Sequence, residues 1–218
     1  MSSRKTFQHK FYTFPDLSAN TTESGRYYTL PDGTSFPSVT TVLGRKLDKT
    51  GLEQWKKRVG EEEAAKISTQ AARRGTSIHD MCEKYLLNED YKKGVMPANL
   101  ATFSSIRSEL DDNVGMIYGI ESPLHSHKLM TAGRTDLIAD WCGAPSIIDF
   151  KTSRKLKEEQ WIQGYFLQAT CYSMMVEELT DLQIANIVII IAVDHEYPQV
   201  FTRNSHAFRN QVTELFTK

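Results

Sequence analysis

Over residues 52 to 87 apolar positions recur every three to four residues between charged ones, so the stretch reads as helix, punctuated by Gly60 and by Arg73-Arg74-Gly75. In its last part Ile78, Met81, Cys82 and Tyr85 mark a core-facing stripe with His79 beside it, and Thr76 or Ser77 is the expected cap of the helix that carries them. Residues 100 to 116 predict another helix, and residues 117 to 130 a strand pair that contains Glu121. Residues 133 to 141 and 146 to 151 read as two strands joined by Cys142-Gly143-Ala144-Pro145, a hairpin. Residues 158 to 178 form the clearest amphipathic helix, with Tyr165, Gln168, Ala169, Tyr172 and Met175 close to one stripe. The β-branched run from 183 to 193 is typical of a strand buried on both faces, and a closing helix follows from His206. Before the helices, residues 1 to 25 are polar and weakly patterned, an expected surface arm. Tyr27 to Leu30, the turn Pro31-Asp32-Gly33 and Ser35 onward suggest a small hairpin, and Ser38 an N-cap for a short helix over 39 to 43. Helices, a run of strands, then helix, strand and helix predict an α/β sheet with a helical N-terminal part, residues 26 to 218 forming one domain.

Composition narrows the picture. At 218 residues, 40% apolar and 10% aromatic, the chain can build one sizeable core and is short for two. A net charge of −1 argues against an obligate basic scaffold, yet local charge matters more than the sum. Basic residues do cluster, at Lys56-Lys57-Arg58, Arg73-Arg74, Lys92-Lys93 and Arg154-Lys155, marking either a phosphate path or ordinary solvated helices. The three cysteines are far apart, which offers no zinc spacing and no disulfide framework, and no four-cysteine iron–sulfur cluster can be assembled from them. A reducing, cytoplasmic setting is expected, with no membrane span in the sequence, and no heptad or exposed apolar stripe argues against a monomer.

The densest chemistry is Asp149-Phe150-Lys151, thirteen residues after Asp136. In a strand Asp149 and Lys151 share a face. A carboxylate there can hold a divalent cation while the ammonium beside it neutralises phosphate charge or orients a water. Hairpin pairing would bring Asp136 near Asp149, where two buried carboxylates repel unless a cation joins them. The plainer readings are a solvated edge for the triplet, a satisfied histidine for His79, and a core Tyr172 with Gln168 at its boundary.

Taken in order, Gly75-x-x-x-His79, Glu121, Gly133-x-x-Asp136, Asp149-Phe150-Lys151-Thr152-Ser153 and Gln168-x-x-x-Tyr172 resemble the RecB-type branch of the PD-(D/E)XK nuclease superfamily. Within it, the stretch Phe36-Pro37-Ser38-Val39-Thr40-Thr41-Val42-Leu43, Trp55-Lys56-Lys57-Arg58 and Arg74-Gly75-Thr76-x-x-His79 are most similar to the mitochondrial genome maintenance exonucleases and their phage and bacterial relatives. Thr135 stands before Asp136 where the superfamily name has proline, and Phe150 where tyrosine or tryptophan is common. The resemblance implies a restriction-endonuclease-like core, a central mixed sheet flanked by helices, and a metal-dependent exonuclease acting on single-stranded DNA in a bacterial or phage-infected cytoplasm. It implies His79, Asp136, Asp149 and the carbonyl of Phe150 as ligands of magnesium or manganese, with Lys151 positioning the attacking water or stabilising the transition state. Gln168 and Tyr172 would support the site or touch the DNA, and Glu121 would be either a further acid of it or a salt-bridge residue. Trp161 and Tyr165 are candidates for base stacking, and Arg74, Ser38, Thr40 and Thr41 for phosphate contacts, the last three otherwise a cap and polar surface. A duplex end-processing or structure-specific nuclease is the rival on the same fold, and a binding protein without catalysis the rival outside it.

Overall fold

A computed structural model describes residues 4–217. The first three residues of the expected arm, and Lys218, lie outside the described residues. The centre is a five-stranded sheet in the order β4-β5-β6-β7-β8, comprising β4 (Val114–Ser126), β5 (Thr131–Trp141), β6 (Ala144–Ser153), β7 (Asn186–Val193) and β8 (Gln199–Asn204). All neighbours are antiparallel except β6 and β7, whose parallel pairing is bridged by α5 (Gln163–Leu179). This is the α/β arrangement expected from the sequence, a mixed sheet flanked by helices.

β7 is apolar along its length because helices cover both faces. Val188, Ile190 and Ala192 join Ile148 and Phe150 against α3 (Glu61–Leu86) and α4 (Pro97–Asn113). Ile187, Ile189, Ile191 and Val193 join Ile147 against α5, α1 (Val39–Lys46) and α6 (Arg209–Thr217). A second sheet, β1 (Ser18–Thr22), β2 (Gly25–Thr29) and β3 (Ser35–Pro37), contains the expected hairpin and adds one strand from the arm. The arm also runs beside β4: Lys10 N donates to Ile117 O at 2.8 Å, and Phe7 is buried.

Three local expectations are corrected. Residues 61 to 86 form one continuous helix through Gly75, so neither Thr76 nor Ser77 is a cap; Ser77 instead accepts a hydrogen bond from Asn99 at 2.8 Å. The real break lies earlier, at Gly60 with φ +86°, where α2 (Thr50–Val59) ends. The expected strand pair over 117 to 130 is one long strand, β4, and its turn falls at residues 127 to 130. The β5–β6 hairpin turns on two residues only, Cys142 (φ +51°) and Gly143 (φ +83°), both left-handed as a tight primed turn requires.

Candidate active site

β5 and β6 pair only from Trp141↔Ala144 to Leu137↔Ile148, and then they part. Beyond that point β5 stays with β4, and β6 continues beside β7. The fork opens at Asp136 on β5 and Asp149 on β6, the residues just past the last pair. The freed backbone at the fork is not orphaned: Phe150 N donates to Asp136 Oδ2 at 2.7 Å, and Phe150 O lies 2.8 Å from His79 Nε2. A single residue of β6, through its N–H and its C=O, thereby fixes both the carboxylate and the imidazole.

His79 reaches the fork from α3, its Nδ1 3.4 Å from Asp136 Oδ1. Glu121 arrives from β4, where its φ of +46° turns the backbone out of the regular pleat. Space for this bend comes from Gly119, on which a Cβ would lie 2.3 Å from Ser122 Oγ, and Arg134 Nη1 holds Glu121 O at 2.9 Å. One ligand atom each from His79, Glu121 and Asp136 lie within 4.8 Å of one another. The structure brings the Glu121 carboxylate beside His79 and Asp136.

Asp149 is 1% exposed, and its carboxylate Oδ1 has no hydrogen-bond partner among the described residues. Its counter-charge is Lys151, whose ammonium touches Oδ2. Burial, reinforced by the Asp136 charge, overcomes the pull of Lys151 and lifts the Asp149 carboxyl to about 6. Burial and the same Asp136 charge raise Glu121 to about 7. For His79 burial acts downward, but the hydrogen bond and charge of Asp136 outweigh it and lift the imidazole to about 9. Burial likewise pulls against the Lys151 ammonium, and Asp149 and Asp136 more than compensate, so it stays charged. His79, Glu121 and Asp136 converge as the donor set a hard divalent cation takes, with the unpartnered Oδ1 of buried Asp149 on the neighbouring strand, and the residues present fit one.

α5 closes the other side. Tyr165 places its ring 5.1 Å from the Lys151 ammonium. The Tyr172 ring packs so tightly on β5 that a Cβ at Gly133 would sit 2.8 Å from Tyr172 Cε1, and Gln168 hydrogen-bonds the Tyr172 hydroxyl. Among the other expected residues, Ser38 caps α1 by accepting from Thr41 N at 3.0 Å, and Thr41 Oγ1 accepts from Arg26 N at 3.0 Å. Thr40 is exposed between them, and Trp161 stands 61% exposed on a short 3₁₀ turn before α5. Arg74 pairs with Asp194 at 2.5 Å, at the end of β7, and is not brought into the cluster. The sequence reading did not foresee Asp194 as that partner or the bend at Glu121, and Gly119 is the residue that could have signalled the bend.

No family model matches the chain. Mitochondrial genome maintenance exonuclease 1 of Xenopus tropicalis is 31% identical over 131 residues, and that of Mus musculus 29% identical over 131 residues. This chain is similar to those exonucleases. Each match covers 56% of this chain and 38% of the relative, so the chain spans well under half of the curated proteins it matches. A solved protein from Eubacterium rectale superposes with a TM-score of 0.43 at 14% identity, covering 67% of this chain and 62% of that one. The named relatives bear out the likeness read from the ordered motifs.

Proposed function

We propose that this protein is a metal-dependent DNA exonuclease that hydrolyses phosphodiester bonds and prefers single strands. The observation that carries the reading is the pair of buried Asp149 and half-buried Lys151 at a strand fork beside His79, Glu121 and Asp136. Attack of water on a phosphodiester builds negative charge on the phosphorus oxygens, and a fixed cation in a dry site stabilises that charge strongly. Lys151 is such a cation, held charged by Asp149 and Asp136 and oriented over the Tyr165 ring. His79, Glu121, Asp136, Asp149 and Phe150 O would hold magnesium or manganese, which when bound supplies Lewis-acid polarisation and neutralises the acids. Gln168 and Tyr172 keep α5 seated on β5 beside the site. The relatives' names as exonucleases support action at strand ends, and exposed Trp161 offers a stacking surface for an unpaired base.

The test is digestion of end-labelled single-stranded and duplex DNA of one sequence with manganese, magnesium or chelator, by the wild type and by Lys151→Ala. Loss of the single strand that requires metal, and falls by about 100-fold or more in the variant, is the expected result. Equal attack on duplex would replace the single-strand preference with end-processing, and an inert wild type beside an active control nuclease would end the nuclease reading.

A further inference from the structure

α3 turns His79 toward the fork, and on another face it carries Arg73, Ser77, Asp80 and Lys84 at helical spacing. Against that face lies the loop of residues 87 to 96, which encloses two adjoining concavities that share Tyr91. The first, about 310 Å³, is lined by Arg73, Lys84 and Lys93 against the acid Asp80. The second, about 460 Å³, is lined by Arg4, Lys92 and Arg107 against Asp90 and Asp111. Two of these acids are already engaged, Asp90 accepting from Lys92 N at 3.0 Å and Asp111 from the Tyr85 hydroxyl at 2.5 Å. Among the described residues Arg73, Lys84, Lys92 and Lys93 have no acidic partner within ion-pair distance. Arg107 is paired with Asp111, and Arg4 donates to Tyr85 O, but the four cations without an acidic partner leave this face an excess of positive charge that attracts an anion.

Their layout selects the kind of anion. From Arg73 to Lys84 the helix advances about 16 Å, several times the roughly 3.4 Å of duplex axis that each phosphate of one strand occupies. A single phosphate needs cations that converge on one point. Cations strung along a helix and its flanking loop suit a linear polyanion, and the grooved contour suits a strand better than a flat lipid surface. We propose that the outer face of α3 with the loop of residues 87 to 96 is an accessory track for the DNA phosphate backbone, gripping substrate outside the fork without reading its sequence. The proposal rests on the nuclease reading for its choice of DNA as the polyanion.

The variant Lys84→Gln/Lys92→Gln/Lys93→Gln alters only exposed side chains. Binding of a 30-nucleotide single strand is measured by anisotropy against salt, with and without the triple change, both in the inactive Lys151→Ala background. Removing three phosphate contacts should weaken binding about tenfold or more and reduce the slope of log K against log salt by about 2. With Lys151 intact, hydrolysis of a trinucleotide that reaches only the fork should stay within about twofold of wild type, because its few phosphates never reach the track. Unchanged affinity and slope for the long strand would overturn the track, as would tighter binding to phosphatidylserine vesicles than to DNA, lost in the triple variant. If the protein binds DNA through these lysines but cleaves none, the nuclease reading falls and the track stands.

Discussion

Gly133 and Tyr172 occupy one another's space, and this contact explains why two residues far apart in sequence belong to one motif. A methyl group at Gly133 would lie 2.8 Å from Tyr172 Cε1 and 2.9 Å from its hydroxyl oxygen, closer than packed atoms tolerate. The ring cannot swing into solvent at low cost because it is buried and its hydroxyl is bonded to Gln168. Gly133→Ala should therefore destabilise the fold by about 1–3 kcal/mol, with a loss of hydrolysis as α5 shifts relative to Lys151. Denaturant melts and the strand-digestion assay check both. A melt indistinguishable from wild type would mean that the ring gives way freely and that Gly133 serves only the backbone.

At the scale of elements, α3 is a helix of 26 residues that keeps its path through Gly75, a residue that costs a helix interior conformational entropy. Among the described residues, nothing beyond the adjacent helix backbone lies within 4 Å of where a Gly75 Cβ would be. Gly75→Ala should consequently raise stability by about 0.5–1 kcal/mol, seen as a higher Tm in thermal melts; a lower Tm would show that the helix is not relaxed at this point. The same glycine shows where sequence reading succeeds and where it stops. Gly75 followed by Thr76 and Ser77 spells a helix start, and only the packing of α3 over β6 reveals that the helix runs on. Where burial on two faces dictates composition, as in Ile187–Ile191 or Ile147–Ile148, the strands were legible from the residues alone. β8 was not, because an edge strand with one covered face carries a mixed pattern, and Gln199–Asn204 is mostly half-buried. Asp136, Asp149, Lys151 and His79 could be singled out by residue type and order. The left-handed bend that delivers Glu121 has no periodic signature, since it depends on Gly119 accepting Ser122 against it.

For the molecule as a whole, the fork concentrates charge that folding must accommodate, and this makes stability depend on pH and, on the proposed function, on metal. Asp149 rises from 3.8 to about 6, Glu121 from 4.5 to about 7, and His79 from 6.5 to about 9. Each of these groups binds its proton more tightly folded than unfolded. Each therefore contributes stability that is fully present below its unfolded pKa and is lost as pH climbs through its folded one. The successive windows carry the decline from about pH 4 to about pH 9. Asp136, whose carboxyl is lowered because His79 and Lys151 outweigh its burial, acts in the opposite sense and only at more acid pH. At about 1.4 kcal/mol per pKa unit, and with the mutual interactions shared among the groups, the metal-free site should cost the fold a few kcal/mol over that span. A divalent cation supplies the charge that the departing protons leave unbalanced, and it competes with those protons for His79 and the acids. Thermal melts at about pH 5.5 and about pH 8.5, each with chelator and with manganese, should show two effects. The chelated protein should melt lower at the higher pH, and manganese should raise Tm more there than at the lower pH. Glu121→Gln, which removes one of the disfavoured charges, should flatten the chelated profile. An equal manganese shift at both pH values would mean that the ion binds away from these protons, and hence away from the fork.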